Sequence, residues 1–361
     1  MFRNPFLSAL ILVLLIGTMA HAEWVTQQSG TTVRLRGVSA VSPRVAWASG
    51  DKGTFARTID GGRNWTSGTV PGAEELDFRD VDAFDAETAY LLSIGEGEKS
   101  RIYKTTDGGR HWELQFKSER AAAFFDSMAF WDRNRGIAVS DPVGGRFIVI
   151  QTADGGKTWQ ETPADGMPLA LEGEGAFAAS GTCIAVEGRT NAWFATGGPR
   201  GARVFRSVDG GRTWAVAMTP VVGGKSAGVF SITFWDPAHG VVVGGDYTKE
   251  GEAGNNVAVT TDGGRTWALI KGAGPGGYRS CVVLVPGTGS RSHAPTLFAV
   301  GPTGSEYSTD GGNSWMSFGT GGYHSADFAG PKNAGWAVGE RGAIAKYSGT
   351  VRAKTKTQAT H

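Results

Sequence analysis

An excess of charge of either sign is missing from this sequence. Lys and Arg total 35 against 34 Asp and Glu, a formal +1 over 361 residues. No global electrostatic pull toward nucleic acid or an anionic membrane follows, and no nucleic-acid partner is expected. Metal-ligand spacing is missing too: the six His are scattered, and the two cysteines, Cys183 and Cys281, stand far apart. Gly223-Gly-Lys-Ser226 resembles the end of a phosphate loop. Thr219 stands where that loop needs its first glycine, and no strand–helix context surrounds it. No glycine fingerprint for a dinucleotide opens a helix, so hydride chemistry is unsupported. Neither a metal nor a cofactor is expected. With 14 prolines and no G-X-Y period, a collagen-like chain is excluded.

What the chain does have is glycine and tryptophan, 56 and 12 residues, with hydrophobic residues at 40%. That is enough apolar matter for a packed core, and enough glycine for many tight turns. Residues 1–22 read as a secretory signal: Arg3 in the n-region, a mainly apolar run from Leu7 to Ile16, and Ala20-His21-Ala22 as the cleavage site. Ten or so apolar residues are short for a spanning helix. The protein is therefore expected to be exported, periplasmic or extracellular, with no transmembrane segment after cleavage. No Cys beside the cleavage site suggests a lipid anchor.

Six segments repeat. They are Thr58-Ile-Asp60-Gly-Gly-Arg-Asn-Trp65, Thr105-Thr-Asp107-Gly-Gly-Arg-His-Trp112 and Thr152-Ala-Asp154-Gly-Gly-Lys-Thr-Trp159. Then follow Ser207-Val-Asp209-Gly-Gly-Arg-Thr-Trp214, Thr260-Thr-Asp262-Gly-Gly-Arg-Thr-Trp267 and Ser308-Thr-Asp310-Gly-Gly-Asn-Ser-Trp315. Successive aspartates lie 47, 47, 55, 53 and 48 residues apart. Asp before Gly-Gly is hairpin-turn material, because glycine takes positive φ freely. The carboxylate and the preceding Ser or Thr hydroxyl can hold turn N–H groups. Each closing Trp suits packing between neighbouring sheets. The six aspartates are thus expected to be structural turn staples. A calcium loop would need further acids at alternate positions, and they are absent.

Upstream of each motif run three short apolar strands, as in Ser127-Met-Ala-Phe-Trp131, Gly136-Ile-Ala-Val139 and Arg146-Phe-Ile-Val-Ile150; a fourth starts at the Trp. Four strands in about 48 residues make one propeller blade. A seventh unit from about Tyr323 to Tyr347 lacks the motif and its fourth strand, and Glu23-Trp24-Val25 reads as the missing strand. The expected fold is all-β: a seven-bladed β-propeller of four-stranded blades over residues 23–349, its ring closed by the N-terminal strand in the last blade. Residues 350–361, with Arg352, Lys354 and Lys356, are expected to be a disordered basic tail. A monomer is expected.

The repeat [ST]-x-D-G-G-x-x-W resembles the Asp-box, or bacterial neuraminidase repeat. The blade pattern F-x-D-x(3)-G-x-A-V followed by T-x-D-G-G-x-T-W is most similar to the photosystem II stability/assembly factors and their non-photosynthetic bacterial relatives. That resemblance implies a seven-bladed propeller, which agrees with the blade count. It implies either an assembly or scaffold protein or a hydrolase, since function resides in sites and not in folds. No sialidase catalytic residue carries over. Val33-Arg34-Leu-Arg36-Gly37 is the nearest segment to that family's F-R-I-P.

Strand order puts the connections entering each blade on one face and the Asp motifs on the other. Aligning the first strands on Val38, Val81, Met128, Cys183, Ile232, Cys281 and Ala326 places Arg36, Arg79, Asp126, Gly181, Phe230, Arg279 and His324 two residues earlier. Arg279, His324, Arg36 and Arg79 then form a positive arc around the channel mouth, flanked by Tyr278 and Tyr323, a trap for anions. Asp126, Asp141, Glu174 and Asp246, with Glu172, are the weaker catalytic candidates, because glycosyl transfer needs two carboxyls at a set separation. Two functions follow. The chain is a protein-binding or assembly module whose partner is an exported or membrane protein. Alternatively it is a glycan-active propeller, a glycoside hydrolase or a lectin-like binder of acidic sugars. Cys183 and Cys281 fall in blades 4 and 6, too far apart to bridge, and are expected to be buried free thiols.

Overall fold

The computed structural model describes residues 22–289, 294–330 and 334–349. Residues 1–21 and 350–361, which carry the expected signal and tail, lie outside them. The described residues form seven sheets of four antiparallel strands arranged as a β-propeller. Blade 1 comprises strands a to d at Leu35–Ala40, Ala46–Gly50, Thr54–Thr58 and Thr66–Thr69. The a strands of blades 2 to 7 are Asp77–Ala83, Phe125–Phe130, Ile184–Glu187, Ala227–Phe234, Cys281–Leu284 and Ser325–Phe328. Blade 7 is completed from the other end of the chain: Glu23–Gln27 pairs with Ile344–Ser348, Trp24 opposite Tyr347. Closing the ring in this way leaves no open sheet between first and last blades.

Each Asp motif folds into the same turn. In blade 1 the Thr58 hydroxyl donates to Asp60 Oδ1 (3.0 Å) and accepts from the Gly62 N–H (2.8 Å). Asp60 then accepts the Asn64 N–H (3.0 Å) and side-chain amide (2.7 Å). The bonds recur around Asp107, Asp154, Asp209, Asp262 and Asp310. Gly61 and Gly62 adopt φ of 81° and 82°, a region closed to most side chains. These bonds hold Asp60, Asp154 and Asp262 at about 2, below the ordinary carboxylate range.

The motif tryptophans seal the blade interfaces. Trp65 packs with Trp336, Val338 and Ile344 of blade 7. Trp112 lies against Trp47 and Phe55 of blade 1, and Trp214 with Phe147 and Val149 of blade 3. Between blades 6 and 7 the indole comes from Trp24, ringed by Phe298, Phe318, Phe328 and Tyr347. The d strands of blades 1 to 6 begin one residue after the motif Trp, not at it, whereas Trp24 lies within the d strand of blade 7. Cys183 and Cys281 are buried and unbridged. No helix among the described residues is long and apolar enough to cross a membrane.

Candidate functional site

The a strands of blades 1, 2, 3 and 5 each carry one extra residue against their b strands. The register slips between Leu35 and Gly37, Phe78 and Asp80, Phe125 and Ser127, and Val229 and Ser231. The bulged residues are therefore Arg36, Arg79, Asp126 and Phe230. A β-bulge re-aims the side chain it carries. All four turn into one cavity of about 560 Å³ at the mouth of the channel. Asp141, at the end of strand b of blade 3, joins them, as do Tyr278 and His324.

Three guanidiniums line this cavity and they are not alike. Arg79 bonds Asp77 (2.8 Å) through Nε and the Ala178 carbonyl (2.9 Å) through Nη1. Arg34 bonds Asp51 (3.1 Å). Arg36 is 8% exposed, donates one bond to the Ala179 carbonyl (2.6 Å), and its Nε has no partner. Among the described residues no carboxylate lies within ion-pair distance of it. Burial, then the neighbouring Arg79 and Arg34, push its guanidinium down to about 10, still cationic at neutral pH. Two acids line the same cavity. Burial raises Asp141 to about 6 and Asp126 well above the ordinary range, and the two carboxyls repel each other's charge.

The expected arc is corrected at two points. Arg279 is turned away from the mouth and buried in a bidentate ion pair with Glu306 on strand c of its own blade. No bulge re-aims it. His324 lines the cavity, but burial and Arg36 lower its imidazole to about 4, so it adds no charge at neutral pH; its Nε2 bonds Glu340 (2.8 Å). Tyr323 packs on Trp24 instead of the cavity (centroids 5.8 Å apart). Glu174 is locked to Arg203 in a buried pair, and Asp246 caps the b–c turn of blade 5 by accepting from Ser226 (2.8 Å) and Thr248 (2.7 Å). Neither lines this cavity. Of the four acid candidates, Asp126 and Asp141 are brought together.

The sequence reading missed the segment 175–182, in the longest connection between blades, residues 162–183. It crosses the channel and touches every other blade. Ala179 and Ala178 accept from Arg36 and Arg79, the Ala176 N–H donates to Asp141 (2.8 Å), and Phe177 stacks on Phe230 (centroids 3.9 Å). Below these, Ser180 donates to the Ser280 carbonyl (2.7 Å) and accepts from Ser325 (3.1 Å). Gly181 lies at φ 74°, and a Cβ there would meet Asp80 Oδ1 at 2.3 Å. The segment stops the channel and makes the cavity a blind cup. Its signal in the sequence was the 55-residue gap between Asp154 and Asp209. Arg34, Tyr247, Glu250 and Glu340 also line the cup and were not singled out as site residues.

No family model and no curated protein matches this chain. Solved propellers share its architecture. A structure described as YCF48 bound to D1 peptide superposes with a TM-score of 0.61 at 17% identity, covering 90% of this chain and 95% of that one. YCF48 from Cyanidioschyzon merolae gives 0.60 at 17% identity over 90% and 99%. The WD40 β-propeller domain of Doa1 gives 0.58 at 11% identity over 94% and 98%. At such identities the likeness is one of fold.

Proposed function

We propose that this protein is an exported binding module that holds a carboxylate-bearing segment of a partner protein in the channel-mouth cup and serves that partner's assembly or stability. The observation that carries the reading is Arg36, a buried cation with an unpartnered Nε beside aromatic walls. A guanidinium in low dielectric favours a planar anion that accepts two parallel bonds. Support for a protein partner comes from the resemblance of the repeat to Asp-box assembly factors and from a propeller of the same fold described with a bound peptide. Support for export comes from the pattern of residues 1–22. The partner is accordingly an exported or membrane protein.

The test is a thermal-shift series on the unaltered protein. Probes are an N-acetylated peptide ending in Phe-norleucine with a free carboxylate, the same peptide as its amide, and acidic and neutral sugars. A ligand that binds the native state raises the midpoint with saturation. The free-carboxylate peptide is expected to raise it, the amide to do so weakly, and Arg36→Ala to abolish the difference. A shift with acidic sugars and none with peptide would transfer the site to a glycan ligand. Export is checked by sequencing the N-terminus of secreted protein, expected to begin at Glu23.

A further inference from the structure

The cup has a second pole that carboxylate capture leaves unused. Asp126 is 1% exposed, and its Oδ2 has no hydrogen-bond partner. Asp141 beside it has Oδ1 on the Ala176 N–H. Among the described residues no cation lies within ion-pair distance of either carboxyl. Arg79 and Asp141 are the charged groups acting on Asp126, and Arg79 has its Nε on Asp77 and its Nη1 on the Ala178 carbonyl. The other charged groups in the cup are Arg34, Arg36, Glu250, Glu340 and His324. A buried acid with an empty acceptor is a group that a ligand can complete. Arg36 lines the same cup, and its Nε is the donor left without a partner. The segment 175–182 closes the cup below, so an occupant enters and ends there; a through-running strand does not fit that shape.

We propose that the cup is selective for a dipolar chain end: a peptide's terminal carboxylate on Arg36, and a lysine ammonium at its last residue on Asp126 and Asp141. This rests on the carboxylate reading above and names its ligand class. Phe177, Phe230 and Tyr278 supply the apolar wall of the same cup. Burial pushes the Asp126 carboxyl well above the ordinary range in the empty cup. An ammonium at hydrogen-bond distance favours the carboxylate, so complex formation draws protons off Asp126 to solvent.

The experiment is calorimetric titration at pH 7 with two peptides, Ac-Gly-Phe-Lys and Ac-Gly-Phe-norleucine, each as free acid and as amide, in two buffers of different ionisation enthalpy. The lysine free acid is expected to bind at least about tenfold tighter than the norleucine free acid, the size of one charge-assisted hydrogen bond in a desolvated site. Its binding should release up to about one proton, read from the buffer dependence, and the norleucine peptide none. Asp126→Asn should remove both the preference and the proton release while norleucine peptide still binds. Equal affinity of the two free acids, with no proton released, overturns the dipolar inference and leaves carboxylate capture standing. Equal binding of lysine acid and lysine amide overturns carboxylate capture. No binding by any of the four overturns both. The peptide series needs no variant, so a misfolded Asp126→Asn protein does not rescue the inference.

Discussion

The two faces of this propeller are built by opposite means. On the Asp-motif face six turns are near copies, and the side-chain bonds of the Asp and of the Ser or Thr that shape them span two to four residues. On the channel-mouth face the bulges carry Arg, Arg, Asp and Phe, and the bonds made with the segment 175–182 join positions 35 to 145 apart in sequence: Ala176 to Asp141, Arg79 to Ala178, Arg36 to Ala179, Ser325 to Ser180. A local turn can be repeated without reference to its neighbours, which suits a scaffold. A site needs groups that differ, so it arises where the blades depart from one another.

That contrast can be broken experimentally at several points, and the largest effect belongs to the interfaces. Trp315→Ala removes a 5%-exposed indole packed against Val241, Val257 and Leu297. It should cost about 3–5 kcal/mol, the usual range for emptying a large buried aromatic site. Urea unfolding measures it, and a loss below about 1 kcal/mol would mean the motif tryptophans are not what couples blades. Next in size is Gly181→Ala at the mouth. Positive φ alone costs about 1–2 kcal/mol for a residue with a Cβ, and Asp80 must also move. The same substitution should weaken peptide binding, because the segment it distorts bonds Arg36 and Arg79. Gly144→Ala, also at positive φ (64°) but with nothing within 4 Å of its Cβ, should destabilise less and leave binding unchanged.

The sharpest contrast comes from pH. Asp60, Asp154 and Asp262 have folded-state values depressed to about 2. Their contribution is present above the unfolded value of about 3.9 and is lost as pH falls toward 2. The channel acids run the other way. Burial raises Asp80 to about 8, Asp82 to about 7, and Asp327 and Asp141 to about 6. Their contribution is fully present below about 3.9 and is lost as pH climbs through the folded values. Stability should therefore peak in mildly acid solution and decline on both sides. Asp80→Asn should flatten the decline between pH about 6 and 8 and leave the acid limb alone. Urea midpoints from pH 2 to 9 check both, and a rise in stability from pH 5 to 8 would contradict the assignment.

Much of this was legible in the residues. Seven blades, the closing strand at Glu23-Trp24-Val25 and the six turns follow from a motif whose bonds are internal to it. Arg36, Arg79, Asp126 and Phe230 were found by aligning first strands, because the same bulge recurs at the same offset in blades 1, 2, 3 and 5. The alignment failed at Arg279, where no bulge forms and Glu306 on the same blade captures the guanidinium. It could not foresee that Glu174 would meet Arg203, 29 positions on, or that Tyr323 would pack on Trp24 from the far end of the chain. A motif with internal hydrogen bonds reports its own geometry; a lone charged residue does not report its partner.

The sequence by itself determined the repeat, the turn chemistry, the number of blades and how the ring closes, because short-range bonding and apolar periodicity act within a few residues. Tertiary structure alone decided which charges remain unpaired. Arg36 and Asp126 stay unpaired, though buried, at the channel mouth: the segment 175–182 crosses the ring and bonds Arg79 while leaving the Arg36 Nε and Asp126 Oδ2 without partners. Free and paired charges are distinguished by distances of a few ångströms between residues far apart in the chain, and those distances exist only once seven blades have closed.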